Sequence, residues 1–246
     1  MARHLLMRLR APLIAFGGEA IDNFGVIRDF PALSMITGLL ANALGWDRAD
    51  DVRHNRLQAR LRLGTRLDHG GQRLQDFQTA QLGAADKAWT TWGTPEERRG
   101  GAGSYESPHL RYRDYHADLD ALVALRLEPA DEPPTLDDLA AALDRPARPL
   151  FIGRKPCVPT GRLFVDWCDA ADVLGALQQR QPTVTTAQTL RLQWPDGEGT
   201  LPNDRRLDVC DERNWTSGVH GGWRPVREGN WRVEPQTVDT TTEEAA

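Results

Sequence analysis

The order in which hydrophobic periodicity changes along the chain limits the possible folds more than any single motif does. His4 to Arg10 alternates, with Leu5, Met7 and Leu9 on one face and His4, Leu6, Arg8 and Arg10 on the other. That period of two predicts a strand. Ala11-Pro12 ends it, and the glycine pair Gly17-Gly18 opens a loop running to Pro31. Met35, Leu39, Leu40, Ala43 and Leu44 then follow at helical spacing. Ser34 is the expected N-cap and Gly45 the expected stop. Alternation returns from Leu57 to Leu67, where Leu57, Ala59, Leu61 and Leu63 oppose Gln58, Arg60 and Arg62. This predicts a half-buried strand with a basic outer face. Leu119–Leu127 reads as another strand. Thr135 opens the helix TLDDLAAALD, with Asp138 at the capping-box position. Pro149–Gly153 is expected as a short edge or final strand. The order is strand, helix, strand, insertion, strand, helix, strand. It predicts an α+β chain with a ferredoxin-like (RRM-like) domain, the skeleton shared with RNA-recognition modules.

The insertion is the least regular stretch. From Gly83 to Pro108 it holds Gly93, Pro95, Gly100, Gly101 and Gly103, with Trp89, Trp92 and Tyr105 interleaved. A loop this long in a compact domain is functional or disordered. Beyond residue 160, Asp169 is expected to cap a helix through Val173, Leu174 and Leu177. Short strand-like runs follow at Thr189–Trp194, Arg206–Cys210 and Trp223–Arg227. The expected division is therefore a ferredoxin-like domain over 1–160, with a long insertion at about 83–113. A small C-terminal β-rich domain spans 161–235, and an acidic disordered tail spans 236–246.

Composition excludes several classes. No stretch approaches the roughly 20 apolar residues of a membrane helix. Arg3, Arg8 and Arg10 lie inside the N-terminal apolar run, where a signal peptide would place its cations ahead of it. The expectation is a cytoplasmic protein with no membrane partner. Cys157, Cys168 and Cys210 are odd in number and widely spaced, which argues against a disulfide framework or a zinc site. The net charge of −5 is unevenly spread. Residues 1–113 carry 16 Lys+Arg against 12 Asp+Glu, a net of +4, and residues 114–246 carry 14 against 23, a net of −9. The basic character that suits phosphate lies in the first half, almost all of it arginine.

Three blocks resemble a known family. LLMRLRAPLIAFGG, RDFPALSMITGLLANALGW and RPLFIGRKPCVPTGRLF occur in order over residues 4–164. They resemble the opening strand and glycine turn, the Gly-Leu-rich helix, and the Gly-Arg-basic-x-Cys-x-Pro segment of CasD subunits. CasD subunits belong to the type I-E CRISPR Cascade complex and to the RAMP superfamily. The resemblance implies a non-catalytic subunit that caps the 5′ handle of the guide RNA (crRNA). It implies contacts with the Cascade backbone subunit and the large subunit, and with target DNA only through the complex. The insertion would be a thumb lying on the RNA. No cofactor or metal is implied.

Candidate RNA-binding residues follow. Ser34 and Thr37 sit at a helix start, where free N–H groups suit a phosphate, and Arg28 lies just ahead. Phe16 and Gly17 suit stacking and close backbone approach. Arg154 and Lys155 are adjacent cations in a loop bounded by glycine and proline. Arg8 is displayed on the first strand. Arg73 opens RLQDFQ, where the family has an Arg-Asp-aromatic segment, although Gln75 stands in place of an expected arginine. Arg98 and Arg99, among the tryptophans of the insertion, suit backbone charge plus base stacking. The alternative is a metal-independent endoribonuclease processing CRISPR repeat RNA, built on Tyr112, Arg113, Tyr115 and His116, with His109 near. Its counterparts place a lysine beside the histidine; here that neighbour is Tyr115. The segment GVHGGW, Gly218 to Trp223, resembles the glycine-rich loops of related RNA-binding repeats but lacks neighbouring lysines.

Overall fold

The computed structural model describes residues 1–81, 108–182 and 186–235. Most of the predicted insertion, including Arg98 and Arg99, and the predicted tail lie outside the described residues. The order is β1 (Ala2–Arg10), β2 (Leu13–Ile14), β3 (Phe24–Gly25), α1 (Leu33–Ala43), α2 (Asp51–Arg60), β4 (Leu61–His69), β5 (Gln72–Ala80), β6 (His109–Ala117) and β7 (Asp120–Leu127). Then come α3 (Leu136–Asp144), β8 (Phe164–Ala170), α4 (Val173–Gln179), β9 (Gln188–Pro195), β10 (Arg205–Arg213) and β11 (His220–Val233). It is a mixed α/β fold with mostly antiparallel sheets. One sheet of seven strands runs β10-β11-β9-β4-β7-β1-β8. A smaller sheet joins β2, β6, β3 and β5, with β5 and β6 paired as an arm from Gln72↔Ala117 to Ala80↔His109. No helix among the described residues is long and apolar enough to cross a membrane.

The large sheet is covered on both faces, and β1 shows why. Leu5, Met7 and Leu9 point into a core with Ile36 and Leu40 of α1, Leu57 of α2, and Leu139 and Leu143 of α3. Leu6 points the other way, into a second core with Val173, Leu174 and Leu177 of α4 and with Trp194 of β9. A strand buried on both faces belongs inside a sheet and not at its edge, and β7 and β8 flank it. Truncating a leucine such as Leu5 to alanine here costs about 2–5 kcal/mol.

Several expectations change. Leu57–Leu67 is not one strand, because α2 runs to Arg60 and β4 starts at Leu61. Leu57 and Leu61 are four apart, a spacing that serves a helix face as well as a strand. Arg60, expected on a basic outer face, is fully buried and donates to the carbonyls of Pro129 (3.0 and 3.1 Å), Pro133 (3.2 Å) and Glu132. Pro149–Gly153 is not a strand; Phe164–Ala170 pairs with β1 instead. Asp172, not Asp169, caps α4, accepting from the Gly175 N–H at 2.7 Å. The Thr135–Asp138 capping box forms as expected.

Candidate nucleic-acid interface

Four segments that are distant in sequence enclose a cavity of about 570 Å³. The Gly17-Gly18 loop and Arg28 form one side, and Ala32, Ser34 and Met35 at the start of α1 form the floor. Gly153 and Arg154 form the second side, and Cys210, Asp211, Arg213, Trp215 and His220 of the C-terminal hairpin close the third.

Each wall is fixed by specific contacts. The Arg28 N–H donates to the Phe16 carbonyl (2.7 Å), and the Gly18 N–H donates to Val26 (3.0 Å), so the loop is closed as a narrow ribbon. Gly153 has a φ of +90°, and a Cβ there would fall 1.8 Å from the Ala15 carbonyl oxygen. Only glycine allows this approach. The Cys157 N–H then folds back onto the Arg154 carbonyl (2.9 Å). The C-terminal wall is latched to both helices. Gln58 accepts from the Arg213 N–H (3.2 Å) and the Trp215 indole (3.1 Å), and donates to the Arg213 carbonyl (3.0 Å). The Trp215 ring lies 4.5 Å from His54 and presses on α1 at Gly38, where a Cβ would meet it at 3.3 Å.

The cavity's electrostatics rest on how its arginines are held. Arg28 donates one guanidinium N–H to the Cys210 carbonyl (2.7 Å). Arg154 donates to the carbonyls of Asp114 (2.6 Å) and Gly25 (2.7 Å), 4.8 Å from the Tyr115 ring centre. Arg213 sits over Trp215 (5.1 Å), and its buried Nε has no hydrogen-bond partner among the described residues. Burial, with Arg48 nearby, pulls its pKa below the ordinary arginine value. A carbonyl fixes a guanidinium without cancelling its charge. The acids at the rim are Glu19 and Asp211. Asp211 is already engaged, accepting from Nε and Nη2 of Arg224 (2.8 Å each) and from the Leu33 N–H (3.0 Å). Burial, together with Arg213 and Arg28, lowers the pKa of His220.

The predicted residues divide accordingly. Gly17, Arg28, Ser34 and Arg154 line the cavity. Lys155 is exposed beside Arg154 and forms no hydrogen bond or ion pair among the described residues. Ser34 is not the N-cap; Ala32 is, and the Leu33 N–H belongs to Asp211. Thr37 is fully buried, its hydroxyl donating to the Leu33 carbonyl (2.8 Å). Phe16 is also fully buried, its ring 5.6 Å from His116, so it has no open face on which a base could stack. Arg8 is spent on Asp120 through two bonds of 2.7 and 2.6 Å. Arg73 pairs with Asp29 (3.0 Å), which Arg191 of β9 also reaches (3.1 Å). The nuclease candidates do not assemble on an open surface. His116 and Tyr115 are buried, and His116 Nε2 is bonded to the Arg28 carbonyl (2.8 Å). Sequence reading missed Arg213 and Trp215; their one signal was an arginine two residues before a tryptophan, just ahead of the glycine-rich GVHGGW.

Residues 4–227 match the family described as CRISPR-associated protein (Cas_Cas5). The chain is 30% identical over 182 residues to the CRISPR system Cascade subunit CasD of Escherichia coli (strain K12), a match covering 74% of this chain and 79% of that one. Its fold is similar to a chain of a CRISPR RNA-guided surveillance complex, with a TM-score of 0.67 and 23% identity over 94% of this chain and 91% of the other. It is also similar to a solved Cas protein, with a TM-score of 0.59 and 24% identity over 92% and 94%. With a match spanning most of both cores and all four segments around the cavity, the chain belongs to the Cas5 family of CRISPR-associated proteins.

Proposed function

We propose that this chain is a non-catalytic subunit of a CRISPR surveillance complex and holds the 5′ handle of the crRNA in the arginine-lined cavity. The observation that carries the reading is the convergence of Arg28, Arg154 and Arg213 on one concavity, none of them neutralised by a carboxylate among the described residues. Guanidiniums fixed by carbonyls are positioned for phosphate oxygens. Family membership supports the assembly, in which contacts with the backbone and large subunits would bring target DNA near. We read β8-β1-β7-β4 with α1 and α3 as the ferredoxin-like frame, since that strand order is the one its βαββαβ path generates. The frame covers 1–160 plus β8, and β9–β11 form the C-terminal β-rich extension. The β5–β6 arm is the base of the thumb. Burial of Tyr115 and His116 disfavours the endoribonuclease reading.

The test is to mix the full chain with end-labelled repeat RNA in metal-free buffer, crosslink with ultraviolet light and run a denaturing gel. The expected result is intact RNA crosslinked near its 5′ handle, lost on Arg154→Ala with Lys155→Ala at normal thermal stability. A discrete shortened product, abolished by His116→Ala, would replace this reading with the nuclease. Retention of RNA in the double variant would remove the cavity from the handle.

A further inference from the structure

A second hollow, of about 250 Å³, runs along α1 and joins the cavity at Ser34, Met35 and Gly153, which line both. Its floor is one stripe of the helix, Ser34, Gly38 and Asn42, spaced four residues apart. Gly38 has no side chain to fill it, and Phe151 stands as the facing wall. The two ends differ in chemistry. At the cavity end Ser34 is 6% exposed, and neither its hydroxyl nor its N–H has a partner among the described residues. The adjacent N–H groups are taken: Leu33 donates to Asp211, and Met35 and Ile36 donate to the Ala32 carbonyl (3.0 and 3.2 Å). The buried Nε of Arg213 is unbonded among the described residues on the same cavity. At the far end the Asn42 side chain donates to the Pro149 carbonyl (3.0 Å). That fixes the amide and leaves Oδ1 as an acceptor with no donor among the described residues.

We infer that this hollow is a slot for one unpaired nucleobase bearing an exocyclic amino group, with the phosphate of the same nucleotide seated at Ser34. The inference rests on the RNA-binding reading and deepens it, from phosphate grip to base selection. A buried hydroxyl and a buried N–H without partners are costly unless a ligand supplies an acceptor. At the first turn of a helix that acceptor is best an anion, and Arg28, Arg154 and Arg213 surround the spot. Asp211 does not oppose it, since Arg224 already neutralises that carboxylate. Along the slot the surface turns apolar at Met35 and Phe151, which suits the faces of a ring. It ends on an acceptor, which suits an amino edge and leaves a carbonyl edge unbonded. Ser34 and Asn42 are eight residues apart, about 12 Å along the helix. A phosphate and the far edge of its own base bridge that span with a hydrogen bond at each end. An apolar protein side chain would leave Ser34 and the Arg213 Nε unpaired.

The test uses the full chain and single-stranded repeat RNA carrying one abasic site at successive positions. At one position the abasic site should weaken wild-type binding by about tenfold or more. At that position an analogue lacking only the amino group should also bind about tenfold more weakly. Phe151→Ala should bind intact RNA about as weakly as wild type binds the abasic RNA, and should lose little more on the abasic RNA. Asn42→Leu should bind the amino-bearing base and its analogue equally. In both variants the salt dependence stays as in wild type, because no phosphate contact is removed. Each coupling is a ratio of ratios, so a loss of folded protein cancels from it. RNA bound by wild type with no sensitive position overturns the slot and leaves the cavity reading intact. A sensitive position whose penalty is unchanged in Phe151→Ala and Asn42→Leu also overturns it, since the base then lies elsewhere. No RNA binding by wild type removes both readings.

Discussion

On the C-terminal strands, Arg205, Arg206, Arg224, Arg227 and Arg232 each end on a carboxylate within 2.6–2.9 Å. Around the cavity, Arg28 and Arg154 end on carbonyls, and Arg213, the last residue of β10, leaves its Nε unpaired. The residue type is the same and the consequences are opposite. In the first region the charges cancel, so the acidic half of the chain carries its arginines as structure. In the second they persist, so a protein of net charge −5 still presents a cationic concavity. Arginine content therefore says little about nucleic-acid binding, and the partner each guanidinium keeps says a good deal.

The sharpest way to break this comparison is to disturb the most buried pair. Arg224→Ala strands the Asp211 carboxylate, whose side chain is 3% exposed. A stability loss of about 3–5 kcal/mol is expected in urea unfolding. A loss under about 1 kcal/mol would mean that these pairs do not hold the C-terminal strands. Next comes Arg28→Ala with Arg154→Ala, which should leave most of the stability in place and weaken RNA by about 10–100-fold. For a single strand, the slope of log affinity against log salt should fall by about 1.4 for two lost phosphate contacts. Lys155→Ala removes a cation with no partner among the described residues, so a loss of only a few-fold in affinity is expected, with stability within about 0.5 kcal/mol of wild type. The smallest effect concerns pH. Burial, Arg213 and Arg28 hold His220 below the ordinary histidine value near 6.5, against a weaker opposing pull from Glu19. A bound phosphate raises it again, so RNA affinity should climb modestly as pH drops below about 6.5, and His220→Gln should flatten the profile. Without RNA the sign reverses: the unfolded chain protonates first, so the stability His220 contributes declines as pH falls through that same value.

Local signals read well from sequence. The alternation of His4–Arg10, the apolar run at Leu119–Leu127 and the Thr135 capping box all depend on neighbours a few residues apart. Errors arose where one spacing served two structures, as at Leu57 and Leu61, or where another run takes the expected place, as β8 does beside β1 in the stead of Pro149–Gly153. The cavity was half legible. Gly17, Arg28, Ser34 and Arg154 were visible as loop and cap residues, but the wall carrying Arg213, Trp215 and His220 is joined to them only in three dimensions. Phe16 misled because a ring beside a glycine turn can face in or out, and nothing in the local sequence decides which.

Asp211 has one last implication. It receives the first N–H of α1 across a separation of 178 residues and holds Arg224 at the same time. On the ribosome, a nascent chain that had emerged only through Arg154 would already display its net-basic half, yet would have no pocket to put it in. The third wall is synthesised after the other two, and the pin that seats it on α1 comes with it. The cavity is therefore a late product of folding, closed only once the β10–β11 hairpin has been made and has docked on α1.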